Sequence, residues 1–162
     1  MKYFTKDWCY SNLNDHEIEK RLKDYRTYIS SIYKKLPFVL KVLVQNINVH
    51  DGRLKSVCFV QDKKLLSLNG IFGDLESGYF FLEIKYLKVS NPDVDLLTSV
   101  FSNQETVILS DELELLTEGL FSHRMFFSTK QDVDIQFNDI EITIKNATPK
   151  DYKKLCCQFK VM

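Results

Sequence analysis

Val133-Asp134-Ile135-Gln136-Phe137-Asn138-Asp139-Ile140-Glu141-Ile142-Thr143-Ile144 alternates apolar and polar residues twice, in two different phases. Val133, Ile135 and Phe137 hold odd positions, whereas Ile140, Ile142 and Ile144 hold even ones. Successive side chains of a strand point to opposite faces, so an unbroken strand would send one trio into water. A bulge or tight bend at Asn138-Asp139 restores the phase, and both residue types tolerate the backbone it requires. The pattern predicts strand on either side of an irregularity, with Ile135, Phe137, Ile140 and Ile142 all buried.

The period of two extends back to Val49. Strands are expected over residues 54–61, 64–68, 79–89, 106–109, 112–116, 120–128 and 133–144. His50-Asp51-Gly52 and Asp62-Lys63 read as turns, Asn69-Gly70 and residues 73–78 as a loop, and Asn91-Pro92 as a stop. Before Val49 the period is helical. Ile18, Leu22, Tyr25, Ile29, Ile32 and Leu36 form one apolar stripe on a helix over 14–36. Asn14 or Asp15 caps it, with Glu17 and Glu19 in the first turn. Pro37 opens a second helix through Phe38, Leu40, Leu43 and Val44, apolar on most sides. The fold class is α+β: two N-terminal helices packed on an antiparallel meander sheet of about six to seven strands. Residues 1–162 read as a single domain, with a helical part (1–48), a sheet part (49–145) and a basic tail (146–162).

The zero net charge hides a segregated chain. Residues 1–90 carry 15 Lys/Arg against 10 Asp/Glu, residues 91–145 carry 3 against 11, and residues 146–162 carry 4 against 1. An acidic block of this kind either steers a basic partner or lies against the chain's own basic part. The basic first helix and the tail lysines belong to no nucleic-acid motif, and with a pI near 6.8 nucleic acid is not the expected partner. Met1-Lys2-Tyr3-Phe4 lacks the apolar core of a signal peptide and no apolar run is long enough for a bilayer, so the expected setting is the cytoplasm and not a membrane. Cys9, Cys58, Cys156 and Cys157 have no disulfide or zinc spacing and are expected to be free thiols, with Cys58 buried. No metal or other cofactor is expected.

Candidate sites are few. His50-Asp51 matches the doublet of metal phosphohydrolases, but no second His-Asp follows to complete a ligand set. The plainer reading is a turn held by the Asp side chain. His123 lies in an apolar strand, where a lone histidine is ordinarily a hydrogen-bonded structural residue. No nucleophile elbow, dinucleotide loop or P-loop is present. Glu112, Glu114, Asp132 and Asp134 would share one polar sheet face if their strands pair, giving an acidic docking surface.

Met1-Lys2-Tyr3-Phe4-Thr5-Lys6-Asp7-Trp8 resembles the start of an uncharacterised bacterial family of small cytoplasmic proteins, whose typical start has Glu at the position of Asp7. Leu36-Pro37 before a helix leading to His50-Asp51-Gly52, and the closing Phe137-Asn138-Asp139-Ile140-Glu141-Ile142, fit the same resemblance. It implies bacterial origin and a cytoplasmic setting, and nothing catalytic. By analogy of size, aromatic content and acidic sheet edges, some immunity proteins of polymorphic bacterial toxins are similar. The expectation is a non-enzymatic binding protein, of the immunity-inhibitor type, that docks a basic protein on its acidic face. The alternative is a hydrolase-like enzyme using His50, Asp51 and His123. The oligomeric state is left open.

Overall fold

A computed structural model of the chain describes residues 1–10, 12–90, 92–102 and 106–157. Helix α1 spans Lys6–Cys9, α2 Asp15–Ile32 and α3 Phe38–Asn46. Strands β1 (Arg53–Val60), β2 (Leu65–Asp74) and β3 (Gly78–Leu87) follow, then helix α4 (Val94–Ser102). Strands β4 (Ile108–Thr117), β5 (Leu120–Phe127), β6 (Asp132–Phe137) and β7 (Asp139–Ala147) precede helix α5 (Pro149–Cys157).

Helices α2 and α3 form where the apolar stripe and Pro37 place them. Asn14 caps α2 through a reciprocal pair: Glu17 N donates to its side chain at 3.0 Å, and the Glu17 carboxylate accepts from Asn14 N at 3.1 Å. A 3₁₀ turn at Tyr33–Lys35 ends α2, and Pro37 caps α3 from one position outside it. Ile32 and Leu36 of the stripe are buried, while Ile18, Leu22, Tyr25 and Ile29 are half-buried. Leu40 and Leu43 of α3 are buried, but Phe38 at its start is exposed, so this helix is less enclosed than its composition predicts.

Helix α1 lies outside the expected elements, and so do α4 and α5. Each of the last two carries a readable cap: Asp93 accepts from Leu96 N at 2.8 Å, and Thr148 and Asp151 exchange backbone and side-chain bonds across the first turn of α5. What reads as a basic tail is therefore helical from Pro149 to Cys157.

The strands form two antiparallel sheets in place of one meander. The larger has the order β1-β2-β3-β7 and the smaller β4-β5-β6. Asn138 stands where the chain leaves one sheet for the other, with β6 ending at Phe137 and β7 starting at Asp139. Its amide donates to Leu87 O at 3.2 Å and its side chain to Gly119 O at 2.6 Å. This corner produces the phase change. Odd-numbered Ile135 and Phe137 are buried on β6, even-numbered Ile140 is buried on β7, and Ile142 is partly buried against the core. Single bridges, Ser90 with Gln136 and Arg53 with Val107, tie the sheets together elsewhere.

Two expected loops lie inside strands. Asn69-Gly70 continues β2, because Gly70 serves close packing and not a turn: a Cβ there would sit 2.6 Å from Arg53 O and 2.8 Å from the Phe72 ring. Ser110-Asp111 continues β4, so the expected strands 106–109 and 112–116 are one element, with a register shift between Ile108 and Ser110. A similar shift between Leu54 and Ser56 turns Val57 and Phe59 inward and leaves Cys58 exposed, against expectation.

The main core lies between the sheets. Leu66, Leu68, Leu82, Ile84 and Tyr86 meet Leu113, Phe121, Met125, Ile135 and Phe137, and Ile32, Leu36, Leu40 and Leu43 extend the same cluster. On the opposite face of the larger sheet, Tyr152 of α5 stacks on Tyr79 at 4.6 Å and accepts from Arg53 Nε at 2.9 Å. No helix among the described residues is long and apolar enough to cross a membrane.

Candidate functional site

The register of β4, β5 and β6 puts even-numbered residues on the face turned away from the core. Glu112, Arg124 and Asp134 form one row across the three strands, and Glu114, Ser122 and Gln136 the next. Asp132 lies beside Phe126 one row further along. The four predicted acids do share a face, although β5 separates β4 from β6.

Residues 1–10 fold over this face as an arm. Glu112, only 3% exposed, is its anchor. The carboxylate accepts from Lys2 N at 2.6 and 3.0 Å, from Tyr3 N at 3.1 Å through both oxygens, and from Phe4 N at 3.4 Å. Three successive amides form a concave anion nest, and such charge-assisted bonds make the burial of a carboxylate tolerable. The Met1 amine pairs with Asp132 at 3.2 Å, and Cys9 Sγ meets Ser110 Oγ at 3.2 Å. Burial pushes the Cys9 thiol up, against the Ser110 contact. Phe4 packs on Trp8 and Tyr25, Tyr10 meets Phe126 edge-on, and the Lys2 ammonium lies over the Tyr3 and Tyr28 rings.

Helix α2 completes the cover along the free edge of β4. The hydroxyls of Tyr25 and Tyr28 accept from Leu113 N at 2.8 Å and Leu115 N at 2.9 Å, pairing edge amides that no strand takes up among the described residues. Burial pushes both phenols up, while these bonds pull the other way.

The acidic block is thus answered in part within the chain. Arg124 sits between Glu114 at 2.9 Å and Asp134 at 3.6 Å, and Ser122 Oγ donates to Asp134 at 2.5 Å. Glu112 is corrected from a docking residue to a buried anchor, because its oxygens are spent on the arm. Asp132 and Asp134 still reach solvent, their side chains 58% and 39% exposed, and Glu114 does so less.

The residues of the hydrolase alternative are not brought together. His50 and Asp51 form an exposed pair, Nδ1 to Oδ2 3.0 Å, in a turn where Asp51 takes a φ of 59° and Gly52 N donates to Val49 O. His123 is fully buried between the sheets. Its Nδ1 meets Tyr86 Oη at 2.6 Å and its Nε2 meets Asp111 Oδ2 at 3.0 Å. A proton on Nε2 lets the ring donate to Asp111 while accepting from Tyr86, which satisfies the Tyr86 hydroxyl, both ring nitrogens and one Asp111 oxygen. Burial, with Asp111 nearby, pushes the Tyr86 phenol well up. One carboxylate reaches His123, in the manner of a structural network. Among the described residues no three His, Cys, Asp or Glu side chains converge to hold a metal.

A cleft of about 700 Å³ opens between α4 and the β1–β2 hairpin, with Val57, Phe59, Leu66 and Leu97 on its walls and Gln61 and Lys64 at its rim. None of the predicted site residues line it, and the sequence does not announce it, because one wall is α4, which lies outside the expected elements. The chain matches no family model, no curated protein and no solved structure.

Proposed function

We propose that this protein acts by binding another protein, and that it meets a basic partner on the outer face of the three-stranded sheet in the manner of an immunity-type inhibitor. The observation that carries this reading is the pair Asp132 and Asp134, two solvent-reaching carboxylates on one face of β6. The arm of residues 1–10 and helix α2 add Tyr10 and the Lys2–Tyr28 stack as an amphipathic margin. Glu112 serves this surface indirectly, by fixing where the arm lies. A cytoplasmic setting and membership of the bacterial family that the opening octet resembles belong to the same proposal.

The hydrolase reading has only the exposed His50–Asp51 contact behind it, and among the described residues no further His, Cys, Asp or Glu joins that pair to hold a metal.

The test is capture from extracts of the source cells, with the wild-type chain and an Asp132→Lys/Asp134→Lys variant compared at low and high salt. A specific partner should be basic, be retained by the wild-type chain, and be lost on charge reversal and as salt rises. If the partner is a toxin, co-expression of this chain should restore growth. A partner retained equally by both proteins, or one that is acidic, would remove the reading.

A further inference from the structure

We infer that the free edge of β7 pairs with β7 of a second copy of this chain, joining two four-stranded sheets into one continuous sheet across a two-fold axis at Thr143. Within its sheet β7 has β3 as its one strand neighbour among the described residues. The other edges are managed: α4 packs on the bulged β1, Tyr25 and Tyr28 take up amides of β4, and Ser90 bridges to β6. Strand β7 runs for nine residues with no proline, and its pairing to β3 keeps one unbroken register. Asp139 Oδ1 takes up the Ile140 amide at 2.8 Å and α3 packs near β7, but from Glu141 to Lys145 no side chain or further strand takes up the outer amides among the described residues, and such a stretch is a template for another strand.

The chemistry along β7 selects the occupant. Its centre reads Glu141-Ile142-Thr143-Ile144-Lys145, which is complementary to itself when reversed. In an antiparallel pair centred on Thr143, Glu141 stands opposite Lys145 of the second copy, and the pair recurs on the other side of the axis. Ile142 stands opposite Ile144 of the second copy on the other face, and Thr143 opposite its own equivalent. Directly opposed side chains of this kind lie within contact range and stabilise a sheet when charges are opposite or both partners are β-branched. Moving the axis to Ile142 or Ile144 sets Glu141 or Lys145 against Thr143 and breaks that charge match. Ile144 is 48% exposed, one of the few large apolar side chains left in water, and this register covers it on both copies. Such an isologous contact closes on itself and forms a dimer, not a fibre.

The experiment is analytical ultracentrifugation of the full chain over a concentration series, with three variants. The wild-type chain should show a monomer–dimer equilibrium. Lys145→Glu places like charges opposite each other twice and should weaken it by roughly tenfold or more. Glu141→Lys combined with Lys145→Glu exchanges the charges and should return the dissociation constant to within about threefold of wild type. Thr143→Lys sets two ammonium groups against each other on the axis and should give a monomer. Circular dichroism melts confirm that each variant folds. Hydrogen exchange on the wild-type chain stands apart from the variants: amides of β7 should gain protection as concentration rises. A chain that stays monomeric at about 0.1 mM overturns the inference, since even a weak pairing would register there. So does a dimer indifferent to Lys145→Glu and Thr143→Lys, or concentration-dependent protection that spares β7. The capture experiment on Asp132 and Asp134 is decided separately, on a different sheet.

Discussion

Replacing Glu112 by Ala should release the N-terminal arm. The carboxylate accepts from the backbone of Lys2, Tyr3 and Phe4 at 2.6 to 3.4 Å and is 3% exposed. A hydrogen bond to a charged group contributes about 1.5–3 kcal/mol, but the three amides share one acceptor and can return to water once the arm lifts, so the separate values do not add. The loss is bounded instead by what holds the arm down: this anchor, plus the burial of Phe4, which is about 1.5–3 kcal/mol for a fully buried apolar side chain. An overall cost of about 2–4 kcal/mol is expected for Glu112→Ala, and about half of that for Glu112→Gln, which keeps an acceptor oxygen but not the charge. Urea unfolding at unchanged m value measures it. Limited proteolysis supplies a second readout, since residues 1–10 should become cleavable in the Ala variant while the body stays intact. A cost below about 0.5 kcal/mol, the range of an ordinary surface change, or an arm that remains protected, would refute the anchoring role.

Tyr86→Phe removes the hydroxyl that meets His123 Nδ1 inside the core, and should cost about 1–3 kcal/mol in the same unfolding assay, since the ring nitrogen is left without a partner. Gly70→Ala, which forces a Cβ against Arg53 O and Phe72, should destabilise by about 1–3 kcal/mol, where a hairpin glycine between strands would be far more tolerant. Alkaline pH should unfold the protein. The Tyr25, Tyr28 and Tyr86 phenols are raised by burial above the ordinary value of 10.0, so the folded state holds these protons more tightly than the unfolded chain. Their contribution is complete below pH 10 and is lost as pH climbs above it, and a spectrophotometric titration should show Tyr25 and Tyr86 ionising only with unfolding. Cys58 should react quickly with a thiol reagent and Cys9 slowly, because Cys58 is exposed whereas Cys9 is partly packed and burial raises its thiol.

Much of the fold is legible in the sequence, and its misreadings have physical causes. The odd-to-even switch at Asn138-Asp139 locates the corner, because side-chain parity is imposed by burial. It does not reveal that the chain changes sheets there, since a bulge within one sheet produces the same parity. Asn69-Gly70 imitates a turn because glycine serves both turns and close packing, and only the neighbouring Phe72 and Arg53 carbonyl tell the two apart. The caps at Asp93 and Thr148 are legible as residue types, but Asn91-Pro92 also reads as a stop and the tail lysines as a solvated segment, so the local signals conflict there. The acidic block was visible as a count of charges. Its principal internal partner was not, because Glu112 is bound by the backbone amides of Lys2, Tyr3 and Phe4, and a backbone amide leaves no mark on a sequence.

Hydrogen exchange of the protein with any partner that the capture experiment yields, compared with the protein alone, tests the proposed docking surface most directly. Binding at the outer face of the three-stranded sheet predicts added protection at residues 132–136 and in the arm at residues 1–4. Protection confined to the His50–Asp51 turn or to the cleft beside α4, with 132–136 unchanged, would contradict it.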